Sequence, residues 1–249
     1  MDGLDGATVL VVGGTSGIGR ATALRFARSG ARVAIAGRNR EAAAATAAAI
    51  RDLGAEALFF PVDVQESASL EAAVEGTVAE FGRLDCAFNN AGWEGRPGPV
   101  EELAEPDWIK MIDLKLSGVW RGMRAQIATM RGLGGGRIVN MAGNWGLIGF
   151  PNFASYCAAA HGIVGLTRAA ALEVAAVGIR VNAVCPGAVD APMLDRMVGG
   201  DESVKGSFGE QLAIGRICTP EEVAEAVVWL CSPQSSYVNG VALPIDGGG

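Results

Sequence analysis

The sequence predicts a doubly wound α/β fold: one domain over residues 1–249, with a parallel seven-stranded sheet and helices on both faces. Short apolar runs alternate with helical patterns from end to end, as expected of repeated β-α-β units. The chain has 249 residues, 50% of them hydrophobic, so it can bury one substantial core. A glycine-rich loop directly follows the first apolar run, where such folds turn into their first helix.

The predicted strands are short apolar runs, which are typical of strands buried on both faces. The first is "ATVLVV", which ends at the glycine loop. The predicted set covers residues 7–12, 32–36, 57–64, 84–90, 136–141, 179–184 and 241–245.

Longer helical patterns separate these runs, and the predicted helices cover residues 21–29, 40–53, 108–131, 153–177 and 220–231. Gly54 lies just past the end of the second helix, and Thr219 followed by Pro220 suits the start of the last. The glycine-rich, charged segment 198–209 is predicted to be a mobile loop or substrate lid, or alternatively a plain surface excursion.

Charge and cysteine content exclude several functional classes. The formal net charge is -7 without a block of like charges, which disfavours a nucleic-acid or anionic-membrane partner. Every apolar run is broken by polar residues or glycines, and the start "MDGLDGATVL" lacks a basic flank, so we expect a cytoplasmic protein. Five cysteines without a CxxC pair are predicted to be buried free thiols.

The glycine loop "VVGGTSGIGRA" carries the first functional signal. Gly13, Gly17 and Gly19 would permit a tight turn and let a pyrophosphate approach the backbone at a helix N-terminus. The alternative is a structural turn that no longer binds nucleotide. At the end of the second strand, Arg38 suits the 2′-phosphate of NADP better than the ribose of NAD, unless it is simply an exposed arginine.

Together with further motifs, the glycine loop resembles the short-chain dehydrogenase/reductase superfamily over essentially the whole chain. These motifs are Asp63-Val64, "NNAG" at 89–92, Tyr156, "RVNAVCPG" at 180–187 and the closing "IDGG". The resemblance implies a Rossmann-type fold, NADP or NAD as cofactor, and hydride transfer between a carbinol carbon and nicotinamide. The cofactor contacts it implies are Gly13, Thr15, Ser16, Gly17, Ile18, Gly19, Arg38, Asp63, Val64, Asn90, Ala91, Gly92, Tyr156, Pro186, Gly187 and Val189.

The catalytic positions depart from the family pattern. Tyr156 matches the acid/base tyrosine, but the lysine position is Ala160, the serine position is Gly143 and the asparagine position is Lys115. Two threonines that usually contact the cofactor are Val12 and Ala191. The intact glycine loop, Asp63 and Asn90 still favour cofactor binding, and the alternative is that these changes weaken or abolish it.

These losses predict that ordinary alcohol dehydrogenation is very slow or absent. A tyrosine without a neighbouring cation has a pKa of about 10, which is too high for an acid/base that works near neutral pH. Gly143 would offer a substrate oxygen only its backbone N–H.

In a rival hypothesis, residues at other positions rebuild the tyrosine–lysine pair of the family pattern. The ammonium of Lys115 would enter the space that Ala160 vacates and partner Tyr156, and Asn144 would replace the serine as donor. Alternatively, Lys115 reaches solvent or pairs with Asp113 or another acid.

Three further residues invite a role. Trp93 and Trp145 would wall an apolar pocket, with core packing or an interface as the alternative. His161 lies five residues after Tyr156 and therefore points away from it, so we expect a structural role or a subunit contact.

Three functions follow as hypotheses. The first is a non-catalytic or weakly active subunit that supports an intact paralogue, since some relatives form such hetero-oligomers. The second is an enzyme of altered chemistry, either an NAD(P)-dependent oxidoreductase using Tyr156 and Lys115 or a non-redox lyase, isomerase or cyclase. The third is a regulator that senses NADP. Assembly as a homo- or hetero-oligomer, dimer or tetramer, is expected through helices 108–131 and 153–177.

Overall fold

The computed structural model describes residues 2–248, which form a seven-stranded parallel sheet with the strand order β3-β2-β1-β4-β5-β6-β7. The predicted fold class is therefore confirmed, and the strand ends differ from the predicted ones by a few residues. The strands are β1 (Thr8–Val12), β2 (Arg32–Gly37), β3 (Ala57–Pro61), β4 (Cys86–Asn89), β5 (Gly136–Met141), β6 (Ile179–Pro186) and β7 (Ala242–Ile245).

Both faces of the sheet are covered because alternate side chains of a strand point to opposite sides. In β1, Leu10 and Val12 pack into the apolar core on one face, while Val9 and Val11 pack into the core on the other. All five β1 residues are buried. The continuous apolar runs of the sequence are thus central strands of a doubly covered sheet.

The helices include three that the sequence pattern did not predict, α3, α7 and α8. They are α1 (Gly17–Arg28), α2 (Arg40–Asp52), α3 (Ser67–Phe81), α4 (Glu105–Met111), α5 (Gly118–Gly132), α6 (Ala154–Val174), α7 (Pro192–Met197), α8 (Glu202–Gln211) and α9 (Pro220–Cys231). The predicted cap of α9 is confirmed: Thr219 accepts a hydrogen bond from the Glu222 N–H, and the Glu222 side chain bonds back to Thr219. Such a reciprocal pair satisfies two backbone donors at the helix start.

The predicted single helix over 108–131 is wrong in one important detail. A π turn, Ile112–Ser117, separates α4 from α5, and the Gly118 N–H donates to the Asp113 carbonyl five residues earlier. Because a π turn holds more residues than an α turn, it changes which side chains face inward, and such turns are frequent at functional sites. Leu114 and Lys115 are the buried residues of this turn.

The prediction that 198–209 is a loop is also wrong, whereas its role as a substrate lid stays a prediction. Most of this segment belongs to α8, because Asp201 caps the helix by accepting hydrogen bonds from the N–H groups of Ser203 and Val204. Its glycines, Gly206 and Gly209, lie within the helix rather than in a loop.

Helix α6 and the short turn after it, 154–177, are long and apolar enough to span a membrane by length and composition. The inner face of α6 nevertheless packs into the core of the fold through residues such as Ile163 and Val164. It is therefore a core helix, and the cytoplasmic location stays a prediction. Of the five free cysteines, Cys86, Cys185 and Cys231 are buried, whereas Cys157 and Cys218 are half-buried.

Candidate functional site

A cavity of about 680 Å³ opens at the carboxyl ends of the strands, beside the point where the strand order reverses between β1 and β4. Ligands of doubly wound folds bind in this crevice, and the volume lies within the usual range of ligand pockets. Every predicted site residue except Gly19 lines the cavity, including Lys115, Asn144 and Tyr156.

The glycine loop is shaped by close backbone approaches. Gly13 has a φ of 82°, and a Cβ atom there would lie 2.8 Å from the Ala91 nitrogen. A Cβ atom at Gly19 would lie 1.9 Å from the Gly13 carbonyl oxygen, so Gly19 supports the loop from behind instead of lining the cavity. Asn90 donates from Nδ2 to the same oxygen at 3.1 Å and joins this loop to β4.

The loop leads into the N-terminus of α1 at the cavity wall. Thr15, Ser16, Gly17 and Ile18 line the cavity, and the Ser16 hydroxyl makes no capping hydrogen bond. Free N–H groups at a helix start attract anions. With no side chains on Gly13 and Gly17 to obstruct it, this cradle fits the pyrophosphate of a dinucleotide.

The opposite end of the cavity is lined by Arg38 and Asp63. Arg38 is exposed and forms no ion pair within residues 2–248, so its guanidinium is available to a ligand. The Asp63 Oδ1 atom accepts a hydrogen bond from the Gln65 N–H at 3.0 Å, which fixes the turn 63–65. Val64, Ala91, Gly92, Pro186, Gly187 and Val189 complete the predicted cofactor wall.

The most informative contact in the cavity joins Lys115 to Tyr156. The Lys115 Nζ atom lies 4.3 Å from the centroid of the Tyr156 ring, and the lysine is 2% exposed. Both alternatives for Lys115 are therefore wrong: it does not reach solvent, and Asp113 instead binds Arg121 and Gln65. The rival hypothesis that Lys115 partners Tyr156 agrees with this geometry.

Ala160, at the family's lysine position, packs closely against Gly146. It is fully buried, and a Cβ atom at Gly146 would lie 3.3 Å from the Ala160 Cβ atom and 2.9 Å from its carbonyl oxygen. The cation thus reaches Tyr156 from the π turn, while α6 packs closely against the turn Asn144–Gly146.

The backbone N–H of Gly143 was expected to be free for a substrate oxygen, and the structure differs from this. Its N–H donates to the Val184 carbonyl oxygen at 3.4 Å, so that N–H is already used and is not free for a substrate oxygen. Its φ is 90°, and a Cβ atom there would lie 3.0 Å from the Tyr156 hydroxyl. The backbone at this position is therefore suited to glycine.

Asn144 lines the cavity, with its Nδ2 atom 3.6 Å from the position that a Cβ atom of Gly187 would take. Its amide lies on the side of the Pro186-Gly187 turn. It is a donor within the cavity, without a contact to Tyr156.

An aromatic cluster forms one wall beside Tyr156. The Trp145 ring stacks on Phe150 at 4.3 Å, lies 4.8 Å from Phe153, and meets Tyr156 nearly perpendicularly at 5.2 Å. Trp145 was expected to form the wall of an apolar pocket, and this arrangement agrees with that. Trp93, of which the same was expected, lies outside the cavity lining and packs under Lys110. Sequence reasoning missed Phe150 and Phe153, although both precede Tyr156 within "FPNFASY".

Helices α7 and α8 border the same end of the cavity through Met193, Met197 and Phe208. Arg196 forms two hydrogen bonds to the Glu94 carboxylate, at 2.7 and 2.8 Å. Burial raises the pKa of Glu94, but the hydrogen bonds from Arg196 and the backbone outweigh it and leave that pKa below its usual value. Lys205 pairs with Asp190 and Asp195, at 2.5 and 2.8 Å, and holds α8 against α7.

His161 is exposed on the outer side of α6, and its Nδ1 atom lies 2.9 Å from the Cys157 carbonyl oxygen. It does not line the cavity, which agrees with the expected structural role or subunit contact.

The sequence profile of a family described as enoyl-(acyl carrier protein) reductase matches residues 12–249. The chain is 39% identical over 247 residues to levodione reductase of Leifsonia aquatica, covering 96% of this chain and 92% of that one. It is 41% identical over 249 residues to 2,5-dichloro-2,5-cyclohexadiene-1,4-diol dehydrogenase of Sphingobium indicum, covering 100% and 98%.

Solved structures agree with the fold. NAD+-bound xylitol dehydrogenase superposes with a TM-score of 0.94 at 33% identity, covering 98% of this chain and 99% of that one. A variant of actinorhodin polyketide ketoreductase with NADPH superposes with a TM-score of 0.92 at 38% identity, covering 97% and 96%.

Proposed function

This chain belongs to the short-chain dehydrogenase/reductase superfamily, and we propose that it is an NAD(P)-dependent oxidoreductase in which Lys115 supplies the cation for Tyr156. Its relatives are named as dehydrogenases and reductases, which supports an active enzyme over an eroded one. Of the three functions that the sequence suggests, these relatives support the enzyme rather than the non-catalytic subunit.

The contact between Lys115 and Tyr156 carries this proposal. A nearby ammonium favours the phenolate form of a tyrosine, and its effect is stronger at a buried position than in water. Lys115 is 2% exposed and forms no ion pair within residues 2–248 that would neutralise it. Its charge is therefore directed at Tyr156, as the family lysine's charge would be.

The cavity fits a nicotinamide dinucleotide. The cradle at Gly13 and Gly17 would hold the pyrophosphate, Asp63 and Val64 would face the adenine, and Arg38 favours the 2′-phosphate of NADP. When bound, the cofactor supplies hydride-transfer chemistry. Val12 and Ala191 line the cavity where relatives often carry threonine, so binding is expected to be weaker than usual.

The chain's own residues handle the proton. In the oxidation direction, the Tyr156 phenolate takes the proton from the substrate hydroxyl, and in reduction the phenol returns it to the carbonyl oxygen. Asn144 offers its amide to the substrate oxygen, since Gly143 has no side chain and its N–H is used by Val184.

The substrate class follows from the cavity wall. Trp145 and Phe150 present flat apolar surfaces, and Arg196, which also lines the cavity, is neutralised by Glu94. An uncharged cyclic alcohol or ketone suits such a wall better than an anion. The name of the Sphingobium relative includes a cyclohexadiene diol, which supports this assignment.

The decisive experiment isolates the ionisation of Tyr156. The chain has only two tyrosines, and Tyr237 is fully exposed, so Tyr237→Phe leaves Tyr156 as the single tyrosine. In that background the tyrosinate absorbance reports on Tyr156 alone, and Lys115→Met is expected to raise its pH midpoint. It should also lower kcat/KM by roughly 10²–10⁴-fold.

Lys110→Met is the matched control, because Lys110 is exposed and contacts Trp93 rather than Tyr156. An unchanged Tyr156 midpoint in Lys115→Met would contradict the proposed role of Lys115.

The absent serine favours a second candidate, a non-catalytic subunit that supports an intact paralogue. The purified chain would then show no turnover of cyclic alcohols with NAD+ or NADP+, and activity would appear only on adding the paralogue. Turnover by the chain alone excludes this candidate.

Assembly through the predicted helices remains part of the proposal. Trp108, Ile109 and Trp120 on α4 and α5, and Leu172 on α6, are large apolar residues exposed to solvent. Such a surface is typical of a subunit interface. Analytical ultracentrifugation should show a dimer or tetramer, and Leu172→Glu should shift it toward the monomer.

A further inference from the structure

A polar cluster outside the cavity holds the π turn in place. Arg121 Nη2 donates to Asp113 Oδ1 at 2.5 Å, and Gln65 Nε2 donates to Asp113 Oδ2 at 2.8 Å. Arg121 Nη1 also donates to the carbonyl oxygens of Asp113 and Val64, at 3.2 and 3.3 Å. Both oxygens of the Asp113 carboxylate are therefore engaged, and one arginine spans two segments of the chain.

The cluster connects the two ends of the cavity. Asp113 lies in the π turn, two residues before Lys115, whereas Val64 and Gln65 follow Asp63 at the opposite end. A Cβ atom at Gly118 would lie 3.1 Å from the Val64 Cβ atom, so the turn 63–65 packs directly against the start of α5. Displacement of the turn 63–65 would therefore be transmitted to the π turn.

We propose that Asp113, held by Arg121 and Gln65, is the positioning residue that directs Lys115 at Tyr156, and that it links this contact to occupancy of the adenine end of the cavity. This inference rests on the proposed function of Lys115. Burial raises the pKa of Asp113, but the hydrogen bonds from Gln65 and Arg121 outweigh it, so that pKa lies below its ordinary value and the carboxylate stays charged.

Single π turns are rare inside α-helices and frequent at functional sites, so the contacts that hold this turn bear on the direction of Lys115. Lys115 itself faces Tyr156 on α6 and, at longer range, the Cys185 thiol on β6. Asp113 is the charged neighbour on its own turn, and it points to Arg121 instead. The cluster thus sets the direction of Lys115, and Asp113 does not form an ion pair with it.

The first test measures tyrosinate absorbance in the Tyr237→Phe background. Arg121→Met should raise the pH midpoint of Tyr156 at least about half as far as Lys115→Met does. Arg124→Met is the matched control: it lies one turn further along α5 and pairs with Glu71 at the surface. Gln65→Met, which removes one hydrogen bond to Asp113, provides a milder variant if Arg121→Met fails to fold.

The outcomes distinguish the proposed role of Lys115 from the positioning role of Asp113. If Lys115→Met leaves the Tyr156 midpoint unchanged, the proposed function fails. If Lys115→Met raises it but the folded Arg121 and Gln65 variants do not, only the positioning role of Asp113 is overturned. A shift in Arg124→Met equal to that in Arg121→Met also overturns it.

The second test probes the link between the ends of the cavity with adenosine 2′,5′-bisphosphate, which carries no nicotinamide. At saturation, measured by calorimetry, it should shift the Tyr156 midpoint in the parent chain and shift it less in Gln65→Met. Equal shifts, or none in the parent, overturn the link. Failure of the probe to bind at all contradicts the proposed cofactor site and the link with it.

Discussion

The ammonium of Lys115 lies over the ring of Tyr156, 4.3 Å from its centroid, although the two residues are 41 positions apart and lie on different helical elements. In the family pattern the cation stands one turn after the tyrosine, on the same helix. Here the same neighbourhood is built from a π turn and the start of α6. A cation therefore lies beside Tyr156 although the residue one turn after the tyrosine is Ala160.

A double substitution tests whether the two positions exchange roles. Ala160→Lys alone should destabilise the fold by about 1–3 kcal/mol, because Ala160 is fully buried and a second cation would meet Lys115. Adding Lys115→Asn should recover part of this loss and part of the activity. Denaturant unfolding and kcat/KM of both single variants and the double variant measure the coupling, and strict additivity would argue against a shared space.

Restoring the serine should not restore activity. Gly143→Ser places a side chain at a φ of 90°, with its Cβ atom 3.0 Å from the Tyr156 hydroxyl. We expect a loss of about 1–2 kcal/mol in the free energy of unfolding. Gly143→Ala separates the backbone cost from the effect of the hydroxyl. A serine variant as stable as the parent and faster in turnover would contradict this account.

Arg38 should set the preference between the two cofactors. Arg38→Leu is expected to weaken NADPH binding about tenfold or more, since hydrogen bonds to charged groups contribute about 1.5–3 kcal/mol. NADH binding should stay nearly unchanged. Fluorescence titration of both cofactors measures this, with Arg40→Leu at the start of α2 as control. An equal loss for NADH would assign Arg38 a general role.

The cap of α9 should make stability depend on pH in the acid range. Hydrogen bonds from Arg216 and Thr219 lower the pKa of Glu222 to about 2. The unfolded state then binds more protons, so this contribution is present above the ordinary glutamate pKa and is lost as the pH falls toward about 2. Glu222→Gln should lower the melting temperature near neutral pH, with the difference shrinking in acid. A constant difference would contradict the assignment.

The strands and α9 could be predicted because their signals are local. Apolar runs bounded by turns mark the sheet, and Thr219 with Pro220 marks a helix start. The π turn has no such signal, since Ile112–Ser117 carries neither proline nor an unusual pattern. Helix α8 was missed for the opposite reason: its glycines suggested a loop, while the cap at Asp201 was decisive.

At the catalytic positions, too, the sequence predicted some features and missed others. Motif spacing located Tyr156, Lys115 and Gly143, and reciprocal placement suggested that Lys115 replaces the lysine. The two partners of Asp113 could not be inferred, because Gln65 comes from a distant segment and Arg121 lies two turns further along the chain. Likewise, the hydrogen bond from Gly143 to Val184 depends on the neighbouring strand.

The π turn at Ile112–Ser117 also makes the length of this segment critical. Removing one residue would allow a regular α-helix from α4 into α5, and every side chain on one side of the deletion would rotate by about 100° relative to the other. Lys115 would then leave Tyr156 although both residues remained in the sequence. A one-residue deletion within this turn is therefore expected to abolish activity even though every catalytic side chain is retained.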